Sequence, residues 1–179
     1  MAEPLTPAPR LVEWAPPELD DALGTLWTSV TRANGAVGFL PDEPEDDIRA
    51  AAVAAMAEVR AGRHRMIVID DPVSEGRAAL VGVVVLVPGE APRKGHLGTV
   101  LRLMVHPDRQ GEGWGRALLD ASVSLARELG LEQLLLSARG GTTLPAFYRR
   151  QGWKEVGVFP GVLHLGDERR DEHWFQLTV

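Results

Sequence analysis

The chain has 179 residues, of which 45% are hydrophobic and 25% charged, a balance typical of a soluble globular protein with one sizeable core. Its formal net charge of −6 argues against a nucleic acid or an anionic membrane as partner, and the absence of cysteine excludes disulfides, thiolate nucleophiles and cysteine metal sites. No apolar run is long enough to span a membrane and the proline-rich N-terminus does not resemble a signal peptide, so we expect a cytoplasmic protein without a bound metal.

Two helices and four strands are predicted before residue 106. Residues 1–9 are interpreted as a flexible tail, and a single domain is expected over residues 10–179. Apolar residues recur at helical spacing in the two helical stretches, and Gly62 ends the second of them. In chain order, we predict a strand at 10–15, a helix at 16–33, a turn at 34–39, a helix at 41–62, and strands at 65–70, 78–87 and 98–105.

The remainder of the chain alternates between helices and strands. A helix carrying Leu118, Leu119, Leu125 and Leu129 ends at Gly130. After it we predict a strand at 131–138, a helix at 143–152, and strands at 153–159 and 172–179. Strands interrupted by helices in this way predict a mixed α/β sheet.

The segment HPDRQGEGWGRALL, residues 106–119, has glycines at positions 111, 113 and 115, where this helix begins. Glycine costs backbone entropy and packs no side chain, so such a cluster indicates that something approaches the backbone closely. The first turn of a helix has N–H groups without partners and a partial positive charge, both of which suit phosphate oxygens. Arg109 and Arg116 flank the glycines and add positive charge. We therefore predict a phosphate-binding turn.

Two stretches resemble motifs of the GNAT acetyltransferases. Residues 105–119 resemble the family's acetyl-CoA-binding motif, (Gln/Arg)-x-x-Gly-x-(Gly/Ala), with Gln110, Gly113 and Gly115 at the defined positions. Residues 145–153, PAFYRRQGW, resemble a second stretch that is frequent in the family and holds a tyrosine before Gly-(Phe/Trp).

The resemblance implies an α/β GNAT fold, a mixed and mostly antiparallel central sheet with helices on both faces and a splayed strand pair for the cofactor. In that fold the pantetheine arm of acetyl-CoA pairs with the strand before the turn, and the amides of the turn hold the pyrophosphate. The resemblance therefore implies acetyl-CoA as co-substrate, bound by Leu103, Met104, Val105, Gln110, Gly111, Gly113, Trp114, Gly115 and Arg116.

Tyr148, the only tyrosine of the chain, stands at the tyrosine of the second motif. The resemblance implies that its phenol is the general acid toward the leaving thiolate of CoA, a role suited by an unperturbed pKa of about 10. Its neighbour Phe147 is expected to be the more buried of the two rings. An asparagine common in the family is replaced by Gly141, so its contact to the pantetheine arm is lost, made by backbone, or supplied by Thr142 or Thr143.

The acceptor amine has to lose a proton before it attacks the thioester, at a cost of about 4–5 kcal/mol at neutral pH. Many GNAT enzymes use a glutamate on the strand before the glycine turn, but residues 96–105, HLGTVLRLMV, contain no carboxylate. His96 is interpreted as a solvated loop residue. Asp171, Glu172 and His173 form a second polar group, from which we select His173 as a candidate acceptor ligand.

In the family the acceptor pocket is built mainly by the first two helices and their connection, where we select Trp27, Asn34 and Phe39 as substrate-binding candidates. This connection and residues 152–167 resemble in part the acetyltransferases that inactivate tabtoxin and kasugamycin. We therefore predict an acetyl-CoA-dependent N-acetyltransferase that transfers acetyl directly to a primary amine of an antibiotic-like or amino-acid-like small molecule. A role in antibiotic resistance would follow from such an acceptor.

Two other functions also fit the sequence. A peptide or protein N-acetyltransferase needs an open acceptor groove, which the insertion at 41–49 is expected to narrow. A non-catalytic acyl-CoA-binding module would keep the motif glycines without a use for Tyr148. The family is often dimeric, and the last predicted strand, 172–179, offers an edge for a homodimer.

Overall fold

A computed structural model of the chain describes residues 8–71 and 79–179. All but the last two residues of the predicted tail at 1–9 lie outside the described residues. So do residues 72–76 of the segment DDPVSEG, 70–76, which is predicted to form a turn between the strands at 65–70 and 78–87. In the described part, α-helices are formed by Glu18–Arg32 (α1), Glu45–Arg60 (α2), Trp114–Glu128 (α3) and Leu144–Arg150 (α4). Strands are formed by Arg10–Leu11 (β1), Arg65–Asp70 (β2), Leu80–Pro88 (β3), Leu97–Val105 (β4), Gln133–Arg139 (β5), Lys154–Leu165 (β6) and Glu168–Thr178 (β7).

The strands form a sheet in the order β1-β2-β3-β4-β5-β7-β6. Strands β4 and β5 run parallel, whereas β1 with β2, β2 with β3, β5 with β7, and β6 with β7 run antiparallel. The predicted mixed, mostly antiparallel sheet is therefore confirmed. Among the helices of the described residues, none is both long and apolar enough to cross a membrane.

The chain divides into two compact units, each with apolar side chains buried in its own core. Unit 1 comprises Met1–Leu86 and Arg102–Ser122, and unit 2 comprises Val87–Leu101 and Val123–Val179. The core of unit 1 includes the fully buried Leu23, Leu26, Ile48, Met56, Met66, Ile69 and Met104. The core of unit 2 includes the buried Leu134, Leu136, Tyr148, Trp153 and Phe175.

Helices α1 and α2 pack against each other in unit 1. Both begin with a cluster of acidic residues in the first turn, where the negative charge complements the helix dipole. Arg60, at the end of α2, donates hydrogen bonds to the carbonyl of Ala15 at 3.0 Å and to Asp20 at 3.1 Å. These bonds tie the end of α2 to the start of α1, the helix that carries the acceptor-site candidate Trp27.

The first strand is shorter than predicted. The strand consists of Arg10–Leu11, and the N–H of Val12 donates one more bond to the carbonyl of Met66 at 2.8 Å, so the predicted strand at 10–15 is wrong beyond Leu11. Trp14 is 75% exposed, and Pro16 and Pro17, which have no N–H to donate to a ladder, lead directly into α1.

Strands β6 and β7 form a hairpin that is longer than the predicted strands at 153–159 and 172–179. The prediction ends before Pro160 because proline cannot donate a ladder hydrogen bond. In the structure the register shifts between Phe159 and Leu163, which accommodates the proline within the strand as a bulge.

The position of β7 corrects the prediction of a free edge at 172–179. Strand β7 lies between β5 and β6, with residues of both as partners. Strand β6 is instead the outermost strand on this side of the sheet.

Candidate functional site

The predicted phosphate-binding turn in unit 1 begins where β4 ends. After β4 the chain forms a short 3-10 helix, Pro107–Arg109, and then an extended residue, Gln110. The side-chain Nε2 of Gln110 donates to the carbonyl oxygen of Val105 at 3.1 Å. The motif glutamine therefore holds the turn to the last residue of the strand, which positions the backbone that follows.

Two glycines of this turn are required by backbone conformation. Gly111 has a φ of +84° and Gly113 a φ of +92°, a region that side chains strongly disfavour. A Cβ atom at either position would meet nothing within 4 Å, so neither glycine is needed for packing within the chain. The space beside both backbones is therefore open.

Helix α3 begins immediately after these glycines. The N–H of Ala117 donates to the carbonyl of Gly113 at 3.0 Å, the first hydrogen bond of the helix. The preceding N–H groups, of Trp114, Gly115 and Arg116, belong to the first turn and have no partner within an α-helix. They are donors suited to phosphate oxygens.

Charged side chains surround the turn, but they are already paired. Glu112 accepts hydrogen bonds from Trp114 Nε1 at 2.8 Å and from Arg109 Nε at 3.0 Å, and these two bonds lower the pKa of Glu112. The indole of Trp114 is half-buried, with the Arg109 guanidinium 5.9 Å from its centroid. Arg116 lies 3.5 Å from Asp120 on the exposed side of α3. The main-chain amides are thus the principal groups left for an anion.

Strand β4 is paired with β5 only along its first part. Leu97, Gly98 and Thr99 lie opposite Gln133, Leu134 and Leu135, and no further pair of this ladder is formed among the described residues. The predicted pantetheine-binding residues, Leu103, Met104 and Val105, all lie beyond the end of that ladder. This short ladder agrees with the splayed pair that the family resemblance implies.

Arg102 lies within β4, just before the predicted pantetheine-binding residues, and was not among the residues selected from the sequence. It adopts a φ of +52°, which is unfavourable for arginine in the middle of a strand. Arg102 is the only charged residue in the predicted strand at 98–105, and this isolated charge was the available indication.

The candidate acceptor residues Trp27 and Phe39 contact each other in unit 1. Their ring centroids are 5.7 Å apart in an edge-to-face arrangement, and Trp27 Nε1 donates to the carbonyl of Val37 at 3.0 Å. The guanidinium carbon of Arg102 lies 5.0 Å from the centroid of the Trp27 ring. Trp27 is buried and Phe39 is half-buried, so the two rings form an apolar wall with Arg102 over one face of Trp27.

Asn34, the third candidate from this region, has a clear role in the backbone. Its φ is +61°, and its N–H donates to the carbonyl of Thr31 at 2.9 Å, just after α1 ends. Asparagine tolerates this left-handed conformation better than most residues. Asn34 is exposed, and its contribution to acceptor binding stays a prediction.

Tyr148 lies in a buried aromatic cluster of unit 2. Its ring centroid is 5.2 Å from that of Phe147, 6.2 Å from Trp153 and 5.7 Å from Phe175. Only 6% of Tyr148 is exposed, whereas Phe147 is half-buried, so the expectation that Phe147 is the more buried ring is wrong. Burial raises the pKa of Tyr148 to about 12. The phenol is therefore fully protonated at neutral pH.

The position of the missing asparagine is occupied by a neighbouring side chain. Gly141 has a φ of +70°, and a Cβ there would lie 2.6 Å from a guanidinium nitrogen of Arg170. The Thr142 hydroxyl donates to the carbonyl of Arg139 at 2.7 Å and accepts from the N–H of Leu144 at 3.2 Å, whereas Thr143 makes no side-chain cap bond to α4. Of the two threonine hydroxyls, that of Thr143 makes fewer hydrogen bonds among the described residues.

His173, the remaining substrate-binding candidate, is oriented by a carboxylate in unit 2. Its Nδ1 lies 3.1 Å from Glu155 Oε1, and Glu155 also accepts from Arg149 Nε at 2.9 Å. Arg149 first, and His173 to a lesser extent, lower the pKa of Glu155. Because Nδ1 faces a carboxylate, the other ring nitrogen, Nε2, is the one left to accept a proton.

The other polar candidates form hydrogen bonds to other residues of the chain. Asp171 accepts from the N–H of Gly161 at 2.8 Å, and Glu172 accepts from Trp174 Nε1 at 3.0 Å. His96 is exposed, as expected of a loop residue, and its carbonyl accepts from the N–H of Glu132 at 2.8 Å.

The family model described as acetyltransferase (GNAT) domain matches residues 62–155, just over half of the chain. The chain belongs to the GNAT acetyltransferase family. The match runs from the end of α2 to the start of β6 and includes both the glycine turn and Tyr148.

Solved structures of GNAT proteins share the fold at low sequence identity. Ribosomal-protein-alanine N-acetyltransferase from Brucella melitensis is 21% identical with a TM-score of 0.73, covering 95% of this chain and 99% of that chain. The yncA protein of Salmonella typhimurium, solved with its cofactor acetyl-CoA, is 17% identical with a TM-score of 0.70, covering 96% of this chain and 94% of that chain. The predicted GNAT fold is confirmed.

A curated relative matches part of the sequence more closely. Mycothiol acetyltransferase from Propionibacterium freudenreichii is 38% identical over 82 residues, which are 45% of this chain. The chain spans only about a quarter of that relative's length, 26%.

Proposed function

We propose that this chain is an acetyl-CoA-dependent N-acetyltransferase that transfers acetyl directly to the primary amine of a small molecule. The observation that carries the proposal is the turn from Gln110 to Arg116. Gly111 and Gly113 hold left-handed backbone with open space beside them, and the first-turn amides of α3 follow at once. This combination suits a pyrophosphate.

The cofactor would be held largely by main-chain groups. The amides from Gln110 to Arg116 would bind the pyrophosphate, and the main chain of Leu103, Met104 and Val105, beyond the β4–β5 ladder, would pair with pantetheine as an added strand would. Several hydrogen bonds to a charged group, each contributing roughly 1.5–3 kcal/mol, are enough to anchor a large cofactor.

In the reaction, the amine nitrogen attacks the thioester carbon, a C–N bond forms, and the C–S bond breaks to release CoA. Tyr148, with a pKa of about 12, is a hydrogen-bond donor at every physiological pH. Complete proton transfer from such a phenol to a thiolate with a pKa of about 8.5 is uphill by about 5 kcal/mol. We therefore assign Tyr148 the role of hydrogen-bonding the negative charge that develops on sulfur, so that CoA leaves as a thiolate and takes its proton from solvent.

The amine has to lose its own proton, and the strand carboxylate used in many relatives is missing. His173 is proposed to contact the amine substrate, because Glu155 holds the imidazole ring through Nδ1 and leaves Nε2 to accept the amine's proton. The neutral imidazole can take up that proton at Nε2 directly or through water.

The acceptor is proposed to be antibiotic-like or amino-acid-like, with Trp27 and Phe39 as an apolar wall. The partial resemblance to the tabtoxin and kasugamycin acetyltransferases supports a small acceptor of this kind, and a function in antibiotic resistance would follow from it. A cytoplasmic location and a single domain over 10–179 belong to the same proposal.

A homodimer is proposed through β6 rather than through β7. Strand β6 is an edge, and it exposes four large apolar side chains, between 39% and 56% of each: Val156, Val158, Phe159 and Val162. An exposed apolar edge strand invites pairing with an identical strand.

The proposal is tested by incubating the protein with acetyl-CoA and a panel of amines while free CoA thiol is measured. The panel contains amino acids, aminoglycoside-type amines and short peptides. Thiol release that depends on a small amine, with the acetylated amine identified by mass, supports the proposal. Release only with peptides would favour a peptide acetyltransferase, and binding of acetyl-CoA without release would favour a non-catalytic module.

A further inference from the structure

Arg102 is a half-buried cation within β4. Its side chain forms no ion pair and no side-chain hydrogen bond among the described residues, and its guanidinium carbon lies 5.0 Å from the centroid of the Trp27 ring. Arginines elsewhere in unit 1, such as Arg10, Arg60 and Arg109, lie beside carboxylates. Burial lowers the pKa of Arg102, which reflects the loss of water without compensation by a negative charge.

The backbone conformation of Arg102 adds a second unfavourable contribution to the free energy of folding. A φ of +52° at a residue other than glycine or asparagine costs roughly 1–2 kcal/mol. Stacking on Trp27 offsets part of the cost of removing the guanidinium from water. Conformations of this kind persist where the surroundings enforce them, and they are concentrated at functional sites.

The position of Arg102 indicates what it serves. It directly precedes Leu103, Met104 and Val105, which are proposed to hold the pantetheine arm, and it contacts Trp27 of the proposed acceptor wall. A guanidinium at this place would lie beside the acceptor, close to where the acetyl group is transferred.

We propose that Arg102 binds a carboxylate carried by the acceptor, so that the acceptor is an amino acid or another amine that bears a carboxylate. A carboxylate matches the planar fork of the guanidinium and supplies the negative charge that residues 8–71 and 79–179 do not. This inference rests on the proposed function and makes its substrate class specific.

The test compares each amino acid of a panel with its own carboxamide as acceptor. The amine of the carboxamide loses its proton more easily than the amine of the free amino acid. Without recognition of the carboxylate, the carboxamide would therefore be acetylated faster. A preference for the free acid therefore reports recognition of the carboxylate. We expect the wild-type kcat/KM to be about 10-fold to 100-fold higher for the acid, the scale of a charged hydrogen bond.

The test variant is Arg102→Asn, because asparagine accepts the left-handed backbone. We expect the acid preference to fall to near unity while acetyl-CoA affinity is kept and Tm changes by no more than about 4 °C. Arg127→Gln, which removes an exposed charge from α3, is the matched control and should keep the wild-type preference. Arg102→Gly, which is also free of backbone strain, replaces the asparagine variant if that variant does not fold.

Calorimetry of amino acids against the CoA-loaded protein separates this inference from the proposed function. Acetylation of acids and carboxamides at equal rates, or an acid preference that survives in Arg102→Asn, overturns the inference and leaves the acetyltransferase intact. If no amine is acetylated, the proposed function is overturned. If amino acids nevertheless bind to the wild type and not to Arg102→Asn, the inferred carboxylate site at Arg102 is supported. Loss of acetyl-CoA affinity in Arg102→Asn would make Arg102 a cofactor ligand and overturn the inference.

Discussion

Gly113 carries the residue-scale prediction for the cofactor. Its φ of +92° and the open space beside it suit a phosphate but not a side chain. Gly113→Glu places bulk and negative charge where the pyrophosphate is proposed to bind, so we expect acetyl-CoA affinity to fall at least tenfold, about 1.4 kcal/mol or more. Isothermal titration calorimetry measures this change directly.

Gly130→Glu is the matched control for Gly113→Glu. Gly130 follows the other end of α3 and has a φ of +72°, and a Cβ atom there would also meet nothing within 4 Å. The two variants therefore introduce the same side chain with a comparable backbone cost. Equal acetyl-CoA affinity in both folded variants would contradict the assignment of the turn to phosphate binding.

The pKa of Tyr148 is open to direct measurement because the chain has a single tyrosine. We expect the ultraviolet absorbance of the phenolate to develop with a midpoint of about 12 in the folded protein and about 10 in the unfolded chain. Burial favours the neutral phenol, so its contribution to stability is complete below pH 10 and is lost as the pH rises toward 12. The free energy of unfolding should then fall by up to about 3 kcal/mol more in the wild type than in Tyr148→Phe. A folded-state midpoint near 10 would contradict the burial of the hydroxyl.

Tyr148→Phe also tests the chemical role of this residue. The substitution keeps the aromatic packing against Phe147, Trp153 and Phe175 and removes only the hydrogen-bond donor. We expect turnover to fall by about 10²-fold or more while acetyl-CoA affinity stays within a few-fold of the wild type. Steady-state kinetics combined with calorimetry separate the two effects. Turnover at the wild-type rate would make the tyrosine purely structural.

Strand β6 carries the prediction at the scale of elements. Phe159 is 56% exposed on this edge strand, so a charge there should disfavour the pairing of two copies. We expect sedimentation velocity to give a dimer for the wild type and a monomer for Phe159→Glu. Val53→Glu, on the exposed side of α2 at 50% exposure, should remain dimeric. A monomeric wild type would remove the basis for the dimer.

The elements differ in how far local sequence determines them. Helix α2 was predicted at 41–62 and is formed by Glu45–Arg60, because periodic apolar residues, acidic first-turn residues and Gly62 act locally. The extension of β6 past Pro160 was not predictable, since a bulge is fixed by the partner strand rather than by the residues inside it. The same reasoning applies to β1, whose short pairing depends on β2.

The site residues differ in the same way. The glycine turn was predictable because Gly111 and Gly113 have a conformational reason for being glycine, and motif and geometry coincide there. Arg102 was not selected, because its positive φ and its contact with Trp27 arise only when strand and helix are packed together. The deep burial of the Tyr148 side chain was also not predicted, since Trp153 and Phe175 approach its ring from other elements.

At the scale of the whole molecule, the central claim is direct transfer of acetyl from acetyl-CoA to an amine. The chain has no cysteine to carry an acetyl group, and its net charge of −6 suits a cationic amine. Direct transfer requires both substrates to be bound before any bond is broken.

The most direct measurement follows the mass of protein and amine in a single turnover with isotope-labelled acetyl-CoA. Direct transfer predicts an unmodified protein when acetyl-CoA is added alone, and labelled acetyl-amine in a one-to-one ratio with free CoA once the amine is added. A labelled acetyl-protein that forms before the amine is present, or a protein that binds acetyl-CoA and releases no CoA with any amine, would contradict it.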